Sequence, residues 1–136
     1  MRLAVLDTNV IVSAGIKSTG APASLLMDWV LEGQVQAVTC PAVAREYRVV
    51  TRRSKFTRYG FPPLWLEFLI DESLQLDDPP KWPHAGPHQD DLIFLALAEA
   101  SGAWLVTGNL RHFPEKDRHG VKVVSPAEYL ARLTTP

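Results

Sequence analysis

Apolar positions along the chain fall into short blocks separated by polar punctuation. Leu3-Ala4-Val5-Leu6 is an apolar run without alternation, the pattern of a strand buried on both faces of a parallel sheet. Asp7, Thr8 and Asn9 follow at once. Each can cap a helix, and Val10-Ile11-Val12 lead into a short helix ending near Gly15. Gly20 and Pro22 open a second helix, with Leu25, Leu26, Trp29 and Val30 at helical spacing and Gly33 as its stop. Val35 to Thr39 reads as a second strand. Pro41 suits a first helical turn, where its missing N–H costs nothing, and the helix it starts carries Val43, Glu46, Tyr47 and Val50.

Pro62-Pro63 restart the chain into a helix through Trp65, Leu66, Leu69 and Ile70. Asp77 to Pro87 holds four prolines and reads as a loop, too short for an interdomain linker. His88 to Ser101 is the clearest helix. It is apolar on most sides, which places it deep in the core, and Gly102 is its stop. Trp104 to Thr107 is a third strand, Gly108 to Arg118 a loop, and Val121 to Val124 a fourth strand. Ser125-Pro126-Ala127-Glu128 is a capping box with Pro at the first helical position, so a last helix runs to about Leu133. Short apolar strands alternating with helices imply an α/β fold with a mainly parallel sheet and helices on both faces. Chemistry in such folds lies beyond the carboxyl ends of the strands. Asp7 and Asn109 fall there.

Length and composition narrow the class. A chain of 136 residues is one domain, 1–136. With 46% hydrophobic and 21% charged residues it is far from a disordered composition. One cysteine, Cys40, excludes an intrachain disulfide and a Cys-rich zinc site, and fits a reducing cytoplasm. Asp7 interrupts the opening apolar run, so no secretory leader is expected. The strongest apolar stretch, Leu92 to Ala98, falls short of the roughly 20 residues that span a bilayer, so no membrane association is expected.

A formal charge of −1 excludes a uniformly basic nucleic-acid coat, but the charge is uneven. Arg45, Arg48, Arg52, Arg53, Lys55 and Arg58 face only Glu46 between positions 45 and 58. From Glu67 to Asp91 there are seven acids and only Lys81. A basic stretch beside an acidic one suits a polyanion entering a metal site. Tyr47, Phe56, Tyr59 and Phe61 interleave the basic residues and offer stacking faces for unpaired bases; a solvated helix with inward aromatics has the same pattern.

The candidate chemistry is carboxylate chemistry. Asp7 at a strand end suits a metal ligand and equally a helix N-cap. Glu46 borders an apolar helix face and also reads as a surface partner for a nearby arginine. Asp90 and Asp91 complement a helix dipole, for which one acid is enough. Neighbouring helical positions point about 100° apart, so one of the two faces a site and the other reaches it from the margin. Brought together from three elements, Asp7, Glu46 and Asp91 would repel unless a hard cation such as Mg²⁺ sat between them. Metal-assisted phosphodiester hydrolysis is the chemistry implied. His84 and His88 beside Asp90 and Asp91 raise a transition-metal reading, against which stands their irregular spacing in a Pro/Gly loop.

Four ordered motifs resemble the PIN-domain family. Leu6-Asp7-Thr8-Asn9-Val10 opens the chain as those domains open. Glu46 falls where their second acidic motif is expected, and Asp90-Asp91 before Leu92–Ala98 looks like the third. Trp104-Leu105-Val106-Thr107-Gly108-Asn109-Leu110-Arg111-His112-Phe113 looks like the closing strand and fourth motif. The branch it is most similar to is the VapC-like toxin components of bacterial toxin–antitoxin systems. The resemblance implies a PIN-like α/β/α sandwich and a cytoplasmic, Mg²⁺- or Mn²⁺-dependent ribonuclease. It makes Asp7, Glu46 and Asp91 catalytic and metal-binding, with Asp90 and Asn109 as further candidate ligands and Thr8, Asn9, Asp90, Thr107 and Asn109 as auxiliary groups. Asn109 stands where many members carry Asp, which weakens the case for a second tightly held ion. Arg45, Arg48, Arg52, Arg53, Lys55, Arg58 and Arg111 are the candidate RNA contacts. A small antitoxin partner and a homodimer are further implications. Two rivals stand beside this reading. One is a non-catalytic PIN-like module that binds RNA or a partner. The other is a haloacid-dehalogenase-type phosphatase, which needs a second Asp where this chain has Asn9.

Overall fold

The computed structural model describes residues 2–86 and 88–135. Pro87, at the end of the predicted proline-rich loop, lies outside the described residues, as do the first and last positions of the predicted 1–136 domain. The elements follow the order β1 (Arg2–Leu6), α1 (Thr8–Ile16), α2 (Ala21–Ser24, continuing as a π-helical stretch over Leu25–Val30), β2 (Val35–Thr39), α3 (Pro41–Thr51), α4 (Leu66–Glu72), β3 (Leu74–Gln75), α5 (Leu92–Ser101), β4 (Trp104–Val106), β5 (Val123–Val124) and α6 (Pro126–Thr134). All strand pairs are parallel, in the spatial order β3-β2-β1-β4-β5. Helices flank this sheet, as expected for an α/β fold with a parallel centre.

β1 is central, and its last three residues, Ala4, Val5 and Leu6, are fully buried. That is why this run carries no polar alternation. α5 packs against β1, β2 and β4. Phe94 to Ala98 are all buried on it, which accounts for its apolar character on most sides. Gly102 ends α5 in the left-handed conformation at φ +74°, a position that favours glycine. At the far end Ser125 and Glu128 form the reciprocal cap of α6, each side chain bonding the other's backbone N–H at 3.1 Å.

Several elements differ from expectation, among them a 3₁₀ helix at Ser54–Tyr59 that was not predicted. β3 was not predicted. Its two residues are both exposed and pair with Val38 and Thr39 only at the sheet edge, so they carry no apolar pattern. The helix expected from His88 begins at Leu92, because Gln89–Asp91 form a 3₁₀ turn in front of it. The strand expected from Val121 is confined to Val123–Val124.

The strand order sets the location of the site. The chain builds outward from β1 through β2 to β3, then crosses back to β4 on the other side of β1. The right-handed rule for such crossovers assigns α5 and α2 to opposite faces. The two directions part between β1 and β4, so the loops leaving these strands diverge and open a crevice at their carboxyl ends.

Candidate active site

Asp7 leaves β1 at that crevice. Its backbone N–H bonds the Val106 carbonyl of β4 at 2.9 Å, so the ends of β1 and β4 are locked side by side. Asp7 is only 5% exposed. It occupies the N-cap position of α1, yet its side chain makes no capping hydrogen bond. Its Oδ2 instead accepts from Thr107 Oγ1 at 2.8 Å and from Asn9 Nδ2 at 3.3 Å. Asn9 acts as a bracket: its Oδ1 accepts from the Gly108 N–H at 2.8 Å. A Cβ at Gly108 would stand 3.2 Å from that same oxygen, so the absence of a side chain there permits the close approach. Thr107 Oγ1 also accepts from the Asn109 N–H at 3.0 Å. Asp7, Asn9, Thr107 and Gly108 thus form one connected network across the β1 and β4 loops.

α3 delivers Glu46. The fully buried Tyr47 hydroxyl donates to the Leu6 carbonyl and ties α3 to the last residue of β1. One position earlier on the helix, Glu46 Oε2 accepts from Thr8 Oγ1 at 3.0 Å. The Thr8 and Asn9 side chains thus bond different carboxylates, Glu46 and Asp7 respectively.

The acids feel one another. Burial pushes the Asp7 carboxyl up to about 6; the Thr107 hydroxyl opposes this, while the charges of Asp91 and Glu46 add to it. Glu46 is raised by its own burial, opposed by the Thr8 hydroxyl; the charges of Asp90 and Asp91 raise it further, and Arg53 partly offsets them. Tyr47 is raised well above its ordinary value by complete burial and by the nearby charge of Asp7. Asp7, Glu46, Asp90 and Asp91 are thus gathered from three segments. None of the four forms an ion pair with Lys or Arg among the described residues. Buried Asp7, half-buried Glu46 and Asp91, and exposed Asp90 form a mutually repelling set of hard oxygen donors without a Lys or Arg partner among the described residues, which fits a divalent ion such as Mg²⁺ or Mn²⁺.

A matching family model spans residues 3–111 and describes a PIN domain. The chain belongs to the PIN-domain family. PIN domains are generally nucleases of nucleic acid. Among solved structures, this PIN domain is similar to a chain of the DNA-bound VapBC complex of Salmonella typhimurium. The TM-score is 0.63 at 16% identity, covering 93% of this chain and 99% of that one. A chain of VapBC2 from Rickettsia felis, bound to a fragment of its promoter DNA, matches with TM-score 0.61 at 19% identity over 90% and 98%. A chain of FitAB bound to the IR36 DNA fragment matches with TM-score 0.54 at 19% identity over 90% and 94%. None of the curated proteins matches the chain.

The remaining candidates divide. Asn109 is half-buried beside the network and contributes its backbone N–H to Thr107. Arg53 is the basic residue whose charge bears on Glu46. Arg48 is held in a two-pronged ion pair with Glu67, at 3.0 and 2.8 Å. Arg45, Arg52, Lys55, Arg58 and Arg111 are exposed. Lys55 lies over Phe56 and Arg58 over Tyr59, and both aromatic rings neighbour Phe61. Phe61 in turn rests on Gly15 of α1, where a Cβ would come within 2.6 Å of its ring.

His112 is absent from the sequence-derived set of site residues. Its Nδ1 stands 2.9 Å from Asp91 Oδ2, a hydrogen bond between residues 21 positions apart that no local pattern signals. A broad groove of about 1010 Å³, lined by Arg2, Trp104, Tyr129 and Arg132 among others, includes none of the four acids.

Proposed function

We propose that this PIN domain is a divalent-metal-dependent ribonuclease and the toxin half of a toxin–antitoxin pair. The observation that carries the reading is the gathering of Asp7, Glu46, Asp90 and Asp91, without a Lys or Arg partner, at the end of β1. Asp7 and Asp91 would hold Mg²⁺ or Mn²⁺, with Glu46 directly or through water. When bound, such an ion supplies Lewis acidity at a phosphoryl oxygen and makes a water more acidic. Thr107 and Asn9 grip Asp7 through Oδ2, and Thr8 grips Glu46 through Oε2, so both carboxylates are pre-oriented. Arg53, whose charge bears on Glu46, would draw a phosphate backbone toward it. The exposed Lys55–Tyr59 segment offers cations and ring faces to a single strand. Exposed Val49 and Phe68 on α3 and α4 offer apolar surface for a second copy or a small protein partner. The two-component names of the VapBC and FitAB neighbours support the partner. Action on RNA in the cytoplasm completes the reading.

The test is cleavage of end-labelled single-stranded RNA with Mg²⁺, with Mn²⁺ and with chelator, beside Asp7→Asn and Asp91→Asn. Metal-dependent cutting by the native chain, lost in both folded variants, is the expected result. Undiminished cutting by either variant would remove these residues from the reaction. One observation favours a non-catalytic RNA- or partner-binding module as a second reading. Asn109 brings an amide rather than a carboxylate from the β4 side. RNA held without a divalent ion and cut under none would decide for that module.

A further inference from the structure

A second group of ligating side chains borders the acids and has a different chemistry. His88, Asp91 and His112 each offer one ligand atom, and these atoms all lie within 4.8 Å of one another. His88 precedes the 3₁₀ turn in front of α5, Asp91 ends that turn, and His112 ends a second 3₁₀ turn, Leu110–His112, after β4. His112 Nδ1 is 2.9 Å from Asp91 Oδ2. The His88 and His112 rings stack with centroids 3.8 Å apart and planes 22° from parallel.

Two imidazole nitrogens and one carboxylate oxygen suit zinc and other first-row transition ions better than Mg²⁺. In a tetrahedral zinc site with bonds of about 2.0–2.1 Å, ligand atoms stand roughly 3.3–3.4 Å apart. The His112–Asp91 pair already sits slightly inside that spacing. His88 is exposed, so its ring can swing through the remaining distance without disturbing the core. Three protein ligands leave a fourth position for water. The other histidine pair, His84 and His119, also stacks, at 3.6 Å, but forms no such three-ligand group among the described residues.

We propose that His88, Asp91 and His112 form a transition-metal site of the zinc class, joined to the acidic cluster through Asp91, and that zinc bound there inhibits nucleic-acid cleavage. A zinc ion on Asp91 Oδ2 draws that carboxylate away from the cluster. It also places positive charge where the cluster would otherwise hold its own cation. The inhibitory half rests on the nuclease reading; the binding half does not.

The first experiment is a zinc titration of the metal-stripped full chain against a chromophoric chelator, with Co²⁺ as a visible-absorption probe of the ligand set. The native chain is expected to bind a single zinc. His88→Ala and His112→Ala, each confirmed as folded by circular dichroism, are expected to bind about tenfold more weakly or worse. His84→Ala and Asp7→Asn are expected to bind as the native chain does. The site is overturned by any of three results: no zinc binding by the native chain, undiminished binding by the His88 and His112 variants, or binding lost in His84→Ala or Asp7→Asn. The second experiment titrates zinc into Mg²⁺-dependent RNA cleavage. Inhibition relieved in His88→Ala supports the coupling, and equal inhibition of that variant overturns it. Absence of cleavage with every divalent ion would overturn the nuclease reading and the inhibitory half with it, while the zinc titration still decides the site.

Discussion

Asp7 is the residue on which the site's electrostatics converge, because it is a carboxylate held in a 5% exposed position by one hydroxyl and one amide. Burial holds its carboxyl at about 6, above the ordinary aspartate value, so the folded chain binds the proton more tightly than the unfolded chain does. Stability from this group is therefore full below about pH 4 and is lost as pH rises through 6, a change of up to about 3 kcal/mol. Without metal, Asp7→Asn should melt higher than the native chain at pH 8, and the difference should vanish toward pH 4. Mg²⁺ at pH 8 should raise the melting temperature of the native chain and leave that of the variant nearly unchanged. Calorimetry across this range checks both. Thr107→Val removes the hydroxyl that donates to Asp7 and accepts from Asn109. It should cost roughly 1–3 kcal/mol, more at pH 8 than at pH 5, because the charged carboxylate is the form that loses its donor. Urea denaturation at the two pH values measures this, and an equal cost at both would separate Thr107 from the charge of Asp7.

Each element brings its own candidate residue, and the local sequence explains how it is held. α3 presents Glu46 because Tyr47, one residue on, is anchored by its hydroxyl to the Leu6 carbonyl. The β4 loop reaches Asp7 because Gly108 leaves room for Asn9. α6 carries none of the four acids and is held by its reciprocal cap, so it isolates the energetics of an element end. Ser125→Ala should lower stability by about 1 kcal/mol and leave nucleic-acid cleavage intact. Thermal melting beside the RNA assay checks both halves, and lost cleavage at full stability would tie α6 to the site.

At the scale of the whole molecule, a net charge of −1 hides a strong separation of charge. The basic segment 45–58 runs alongside the acidic cluster, but its members differ. Arg48 is committed to Glu67, whereas Arg53 acts on Glu46. Arg53→Ala should therefore weaken RNA binding and reduce the salt slope by about 0.7. Arg48→Ala should change binding little, since the lost guanidinium already has a carboxylate partner. Fluorescence anisotropy over a range of KCl concentrations distinguishes the two. A larger effect from Arg48 would move the RNA path onto α4.

Much of this protein was legible along the chain. Buried strands such as Leu3–Leu6 and the Leu92–Ala98 block show their nature by unbroken apolarity, because both strand faces and nearly the whole helix surface meet the core. The α6 cap is legible because its hydrogen bonds span only three residues. Asp7, Glu46 and Asp90-Asp91 stood out as acids at element ends or against apolar faces. β3 left no trace, since two exposed edge residues are paired only through backbone groups. The meeting of the acids, the grip of Thr107 on Asp7 and the His112–Asp91 pair were decided by the tertiary structure alone. These contacts join residues as many as 100 positions apart. They exist because the reversal of strand order sets the ends of β1 and β4 side by side, a consequence of how the whole sheet packs.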